Sequence, residues 1–251
     1  MADITRATVF RYNPSVDPKP YYETYEVPWT PFMSALEVLR YIQENIKPIS
    51  FDYSCRVTAC GVCGLMVNGK PVLGCVTVVP IGEDILIEPL AGFRVIKDLT
   101  VDKTEVENRL YGTMPWFSRT KPMTEPLAMA PEAYVRTGAL QECKSCLCCQ
   151  AVCPVLTQGS PFYKGFKEFA GPYVLINIAM RYFDPREDFA DERLKTAVRE
   201  GLFECILCGQ CYEVCTSGKQ KENPEHPDTW YNHVTIFQEM MDAAKAKGWG
   251  P

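Results

Sequence analysis

The chain is poor in the groups that side-chain catalysis usually draws on. It holds two histidines, His226 and His233. A lone histidine is more often a surface or capping residue than a ligand, and that is the expectation for both. No nucleophile–base pair and no glycine-rich phosphate loop can be read. Basic residues do not predominate: 26 Lys+Arg stand against 31 Asp+Glu, a net charge of −5. This excludes the basic, aromatic-interleaved surface that holds nucleic acid, so no nucleic-acid partner is expected. Long apolar runs are also missing. The best, YVLINIAM from Tyr173, ends at Arg181 and falls far short of the roughly 18–20 residues of a membrane span. The chain is therefore expected to have no span of its own. The opening stretch MADITRATVFRYNP carries a charge at Asp3 and no long apolar core, unlike a secretory signal. A protein of the reducing compartment is expected.

Cysteine, by contrast, is abundant. There are 13 in 251 residues, and none lies outside a group. They fall at 55, 60, 63 and 75, at 143, 146, 148, 149 and 153, and at 205, 208, 211 and 215. In a reducing compartment such tight grouping reads as metal ligation rather than disulfide bonding.

Local patterning divides the chain. ATVFRYN (7–13) and YYETYEV (21–27) are rich in β-branched and aromatic residues and read as strands. Ser34-x-x-Glu37 is a capping-box signature, and Leu36, Leu39, Ile42 and Ile46 recur behind it at helical spacing. This predicts an amphipathic helix over 34–46, ended by Pro48. LMV, Asn68-Gly69 and KPVLGC predict a β-hairpin, and DILIEPL (84–90) a further strand. Residues 113–131 hold four prolines and read as a linker or extended segment. Tyr111, Trp116 and Phe117 near it read as packing residues, Arg119 and Lys121 as a solvated face. Helices are predicted over 171–183, 191–203 and 229–248.

The expected fold class is α+β. An N-terminal β-grasp, plant-type ferredoxin domain occupies 1–103. A linker covers 104–131, and an all-α, bacterial-ferredoxin-like helical domain covers 132–251. One repeat is present: CKSCLCCQAVCP and CILCGQCYEVCT share the frame C-x2-C-x2-C-x3-C.

Cys55, Cys60, Cys63 and Cys75 have the spacing C-x4-C-x2-C with a distant fourth, the plant-type arrangement for a 2Fe–2S cluster. Gly61 and Gly64 flank Cys63; they let the backbone approach closely and turn N–H groups toward the cluster. Zinc prefers paired C-x2-C halves, which the x4 gap fits poorly. In the repeated frame three cysteines hold one cubane, and the fourth reaches across to the other cluster. Cys143, Cys146, Cys149 and Cys215 then hold a 4Fe–4S cluster, leaving Cys153, Cys205, Cys208 and Cys211 for another. Cys148 falls outside the frame and reads as a buried thiol.

A plant-type 2Fe–2S domain followed by two such frames resembles the iron–sulfur subunit of the succinate dehydrogenase and quinol:fumarate reductase family. The resemblance covers roughly 5–220 and includes VIKDLTVD (95–102). It implies a membrane complex in which this chain relays single electrons. On one side stands a flavoprotein subunit with covalent FAD, which interconverts succinate and fumarate. On the other stands a membrane anchor with haem b and menaquinone or ubiquinone. The complex would lie on the cytoplasmic face of a bacterial inner membrane, with this subunit peripheral to it. By this analogy Cys153, Cys205 and Cys211 hold three corners of the third cluster. In much of the family that cluster is 3Fe–4S, because the position matching Cys208 is not cysteine. Here Cys208 offers the missing ligand, so a 4Fe–4S centre is the expectation and 3Fe–4S the alternative. Relatives with a nearby quinone often place tryptophan after the Cys-Pro and histidine after the match of Cys205. Here Val155 and Ile206 stand there, which favours hand-off to haem, and Thr216 replaces a usual proline. The rival readings are another flavoprotein complex (a thiol-driven fumarate reductase or a glycolate-oxidase-like enzyme), a diffusible polyferredoxin, and a zinc scaffold.

Overall fold

The alternation in ITRATVFR sends Thr5, Ala7, Val9 and Arg11 inward along the first strand, β1 (Ile4–Arg11). The structure, a computed structural model, describes residues 3–120, 122, 126–219 and 232–251, apart from the side chains of 218 and 219. These form two compact units, Met1–Lys103 with Lys144–Val152, and Thr104–Cys143 with Cys153–Pro251.

In the first unit β1 pairs antiparallel with β2 (Tyr21–Pro28). Helix α1 (Ala35–Asn45) follows, and then the hairpin of β3 (Gly64–Val67) and β4 (Lys70–Leu73). β5 (Ile85–Glu88) runs parallel to β1 and antiparallel to β3, giving the order β2-β1-β5-β3-β4. A small two-stranded sheet, β6 (Val95–Lys97) and β7 (Thr100–Val101), completes the run.

The expected capping box is present. Ser34 Oγ accepts from the Glu37 N–H at 3.2 Å, and the Glu37 carboxylate accepts from the Ser34 N–H at 2.7 Å. Helix α1 buries Leu36 and packs Val38, Leu39 and Ile42 into the core beneath the sheet. Each such aliphatic side chain contributes roughly 1.5–3 kcal/mol. Ile46, expected on the same stripe, is instead exposed, because the helix ends at Asn45 and Ile46 lies past its last turn.

Arg11 is the one charge on the inward face of β1, and its surroundings satisfy it. Its Nε donates to Asp98 at 3.0 Å, Nη2 to the Pro48 carbonyl at 2.9 Å, and Nη1 to Glu23 at 3.3 Å. Asp98 is itself buried and also accepts the N–H groups of Tyr12 and Ser50. The pair thus fastens β1 to the chain that enters the first cysteine loop.

In chain order α2 (Thr104–Gly112), α3 (Pro131–Gln141) and α4 (Cys148–Ala151) come next. They are followed by α5 (Pro172–Tyr182), α6 (Ala190–Arg199), α7 (Gln210–Glu213), α8 (Thr216–Lys219) and α9 (His233–Ala246). Helix α4 belongs to the first unit and packs on β4. The second unit is built around α5, whose apolar run is buried nearly all round and meets α2, α3, α6 and α9. YVLINIAM is therefore a core helix. Among the described residues no helix is long and apolar enough to cross a membrane.

The stretch read as a linker differs from that reading. Val106 and Leu110 anchor α2 into the second unit, and the prolines follow only after it. Tyr111 and Trp116, expected to pack, are exposed, while Phe117 lies under the Arg186 guanidinium. Arg119 is half-buried on the Arg186 carbonyl and Asp188, rather than on an open face. Lys121 and His226 lie outside the described residues.

Candidate metal centres

The first cysteine loop turns by placing Arg56 and Thr58 in the left-handed region, at φ 62° and 64°, before Gly61 at φ 69°. Left-handed backbone costs a non-glycine residue about 1 kcal/mol or more. What it gains here is convergence of N–H groups on one sulfur. Cys55 Sγ accepts from Val57 at 3.4 Å, from Ala59 at 3.3 Å and from Cys60 at 3.3 Å. The Cys55 N–H in turn donates to Cys60 Sγ at 3.5 Å. These donors, Val57 first and then the Cys60 side chain, pull the Cys55 thiol down to about 7. The inward N–H groups thus come from Val57, Ala59 and Cys60. The close approaches at Gly61 and Gly64 are to other backbone.

The hairpin delivers the remaining two sulfurs. The Gly74 N–H donates to the Cys63 carbonyl at 3.0 Å, which brings Cys75 beside Cys63. Burial pushes the Cys63 thiol up to about 12, and the neighbouring Cys75 and Cys60 sulfurs add to the rise. One sulfur is thus prepared as a thiolate, while its buried partner resists becoming one. A metal resolves that conflict by displacing the protons and supplying positive charge. The donor set and its N–H groups fit a 2Fe–2S cluster.

The last frame and Cys153 converge independently, all within the second unit. Cys153, Cys205, Cys208 and Cys211 line one cavity with about 350 Å³ of atom-free space, part of it open to solvent. The rest of the wall is apolar, with Val155, Phe169, Val234 and Phe237 prominent. Leu207 (φ 54°) and Gly209 (φ 78°) flank Cys208 and turn the loop around the space. Burial pushes Cys153 and Cys205 up to about 11, and pushes Cys211 up further, beside the sulfurs of Cys205, Cys153 and Cys208. Burial keeps Cys153, Cys205 and Cys211 as thiols, and a cubane-type group with its own positive charge would displace their protons and let all four sulfurs share one apolar-walled space. Cys153 and Cys211 are buried, whereas Cys208 is exposed.

The first frame repeats the same backbone: Ser145 (φ 54°) and Leu147 (φ 62°) flank Cys146 as Leu207 and Gly209 flank Cys208. The Cys148 thiol and N–H both donate to Cys146, which with Lys103 nearby draws it down to about 7. Cys148 is 1% exposed. Cys146 and Cys149 belong to the first unit, and Cys143 and Cys215 to the second. Within the second unit Ser217 Oγ donates to the Glu142 carbonyl at 2.7 Å, tying the neighbour of Cys143 to the turn after Cys215. No signal in the sequence marked Lys103 or the left-handed Arg56 and Thr58.

Among the described residues, no three His, Cys, Asp or Glu side chains are gathered as a single metal ion would need them. His233, expected at the surface or in a cap, is buried between the rings of Tyr212 and Phe237. Burial drops it to about 3.

Comparison with known proteins bears on both halves. Residues 6–108 match the family described as "2Fe-2S iron-sulfur cluster binding domain", and residues 139–219 that described as "4Fe-4S dicluster domain". An Escherichia coli fumarate reductase iron–sulfur subunit is 34% identical over 227 residues, covering 88% of this chain and 86% of that one. The chain belongs to the family of fumarate reductase iron–sulfur subunits. Another relative, from the CoM/CoB fumarate reductase of Methanothermobacter marburgensis, is 36% identical over 208 residues, 82% of this chain. This chain spans 40% of the length of that relative and of an iron–sulfur protein from Methanocaldococcus jannaschii. The "Mycobacterium smegmatis Sdh1 complex in the apo form" contains a chain that superposes with a TM-score of 0.80 at 23% identity, over 99% of this chain and 98% of that one. At that identity the likeness is one of fold. As a member of the family, the chain carries a 2Fe–2S domain and a 4Fe–4S dicluster domain.

Proposed function

We propose that this chain is the non-catalytic electron-relay subunit of a membrane-bound quinol:fumarate reductase or succinate dehydrogenase. Its partners are a flavoprotein with covalent FAD and a membrane anchor with haem and quinone, and it lies on the cytoplasmic side of the membrane. The first sheet is read as a plant-type β-grasp domain within 1–103, and the cubane sites as the work of 132–251. Cys55, Cys60, Cys63 and Cys75 would hold the 2Fe–2S cluster. Cys143, Cys146, Cys149 and Cys215 would hold a 4Fe–4S cluster. Cys153, Cys205, Cys208 and Cys211 would hold the third.

Such clusters supply one-electron transfer at potentials that the protein tunes through hydrogen bonds, charge and burial. The chain's own contribution is to fix the thiolates, direct N–H groups at Cys55 and keep water from the apolar walls. The observation that carries the reading is the convergence of Cys153, Cys205, Cys208 and Cys211 on one apolar-walled cavity. Because Cys208 lines the same space as the other three, we assign the third centre four irons.

Anaerobic purification followed by iron and sulfide analysis and low-temperature EPR tests the assignment. A reduced 2Fe–2S signal with two reduced cubanes is expected. An oxidised three-iron signal would refute the fourth ligand. Zinc in place of iron would refute the relay. A second reading, a thiol-driven fumarate reductase, draws on the 36% identity to the chain from the CoM/CoB enzyme. Assay of fumarate reduction with quinol and with thiol donors separates the two.

A further inference from the structure

Gly61 and Gly64 sit in the first cysteine loop, yet what crowds them is the backbone of the second cysteine frame. A β-carbon on Gly64 would stand 2.5 Å from the Cys146 carbonyl oxygen. One on Gly61 would collide with the Lys144 carbonyl and lie 2.9 Å from the Cys146 nitrogen. All of these residues belong to the first unit. Neither side of the contact can easily yield. Gly64 opens β3 and is paired with Leu73 in the hairpin that carries Cys75. On the other side, the left-handed Ser145 and Leu147 fix the direction of the Cys146 peptide, and α4 packs on β4.

The geometry points to Gly61 and Gly64 as spacing residues: by having no side chain they set how near the Cys146 ligand comes to the Cys55–Cys60–Cys63–Cys75 group. This rests on the cluster assignment proposed above and adds a role that the assignment alone does not give. The two glycines differ usefully. Gly61 needs both room and left-handed backbone, whereas Gly64 needs room alone. Close approach between backbones is a use of glycine separate from its freedom at φ > 0. Gly92 supplies the opposite control in the same unit, with φ +83° and nothing within 4 Å of a β-carbon.

The test is the spin–spin interaction between the two reduced centres, read by EPR on the full chain loaded anaerobically, with iron counted in parallel. Gly64→Ala is expected to retain its iron and lose part or all of the interaction. Gly92→Ala is expected to match the wild type despite its strained backbone. A Gly64→Ala chain with full iron and an unchanged interaction overturns the inference. So does a fully loaded wild-type chain whose two reduced centres show no interaction, a result that requires no variant to fold. A wild-type chain that takes up no iron defeats the cluster assignment and this inference together; full iron without interaction defeats the spacing role alone.

Discussion

Arg193 Nη1 donates to the carbonyl of Met114 at 2.6 Å, holding in place a residue whose own backbone is left-handed at φ 52°. The same guanidinium reaches the carbonyls of Thr113 and Trp116, the Ser118 hydroxyl and the Glu187 carboxylate, and it is almost wholly buried. One side chain of α6 thus organises the turn that leaves α2.

Arg193→Met should destabilise the protein by about 3–5 kcal/mol, because Glu187 is left as a buried charge without its cation. Adding Glu187→Gln to that variant should recover part of the loss. Denaturant unfolding of the single and double variants measures both effects. Equal loss in the two would refute the charge argument.

Cys208→Ala should cost the third centre one iron and leave the rest. The expected product has an oxidised three-iron EPR signal that the wild type lacks. Unchanged iron content would show that Cys208, though it lines the cavity, is not a ligand.

His233 gives the fold an acid-sensitive point. Its folded value of about 3 lies below the ordinary 6.5, so the unfolded chain binds the extra proton between those limits. Stability from keeping it neutral is complete above pH 6.5 and falls as pH drops toward 3, by about 1.4 kcal/mol per pH unit. His233→Leu preserves volume and should flatten that part of the stability curve. A wild-type slope surviving in the variant would assign the effect to other groups.

Cys148→Ala removes the thiol that donates to Cys146. An S–H group is a weak donor, so the effect should be small, below about 1 kcal/mol. Its direction should be toward a lower reduction potential for the Cys146 centre, with Cys148→Ser restoring much of the difference. Potentiometric EPR titration reads the change.

Much of the first unit can be read from local pattern. The alternation of β1, the capping box at Ser34 and the Asn68-Gly69 hairpin are each fixed by neighbouring residues. The thiol groups are equally plain, since metal clusters demand close spacing in sequence. What escapes the pattern is of another kind. Helix α3 has proline at its first position but no side-chain cap, and it contains Gly138, so its start signal is partial and its propensity weak. The inward Arg11 and Arg193 find partners 87 and 79 positions away. Arg56 and Thr58 adopt glycine-like backbone only because the converging sulfur rewards it. The meeting of Gly64 with Cys146 joins residues that no periodicity relates.

The first unit takes in Lys144–Val152, a piece that emerges from the ribosome well after Lys103. That piece carries α4, which packs on β4. A fragment cut at residue 103 would lack the piece that packs on β4.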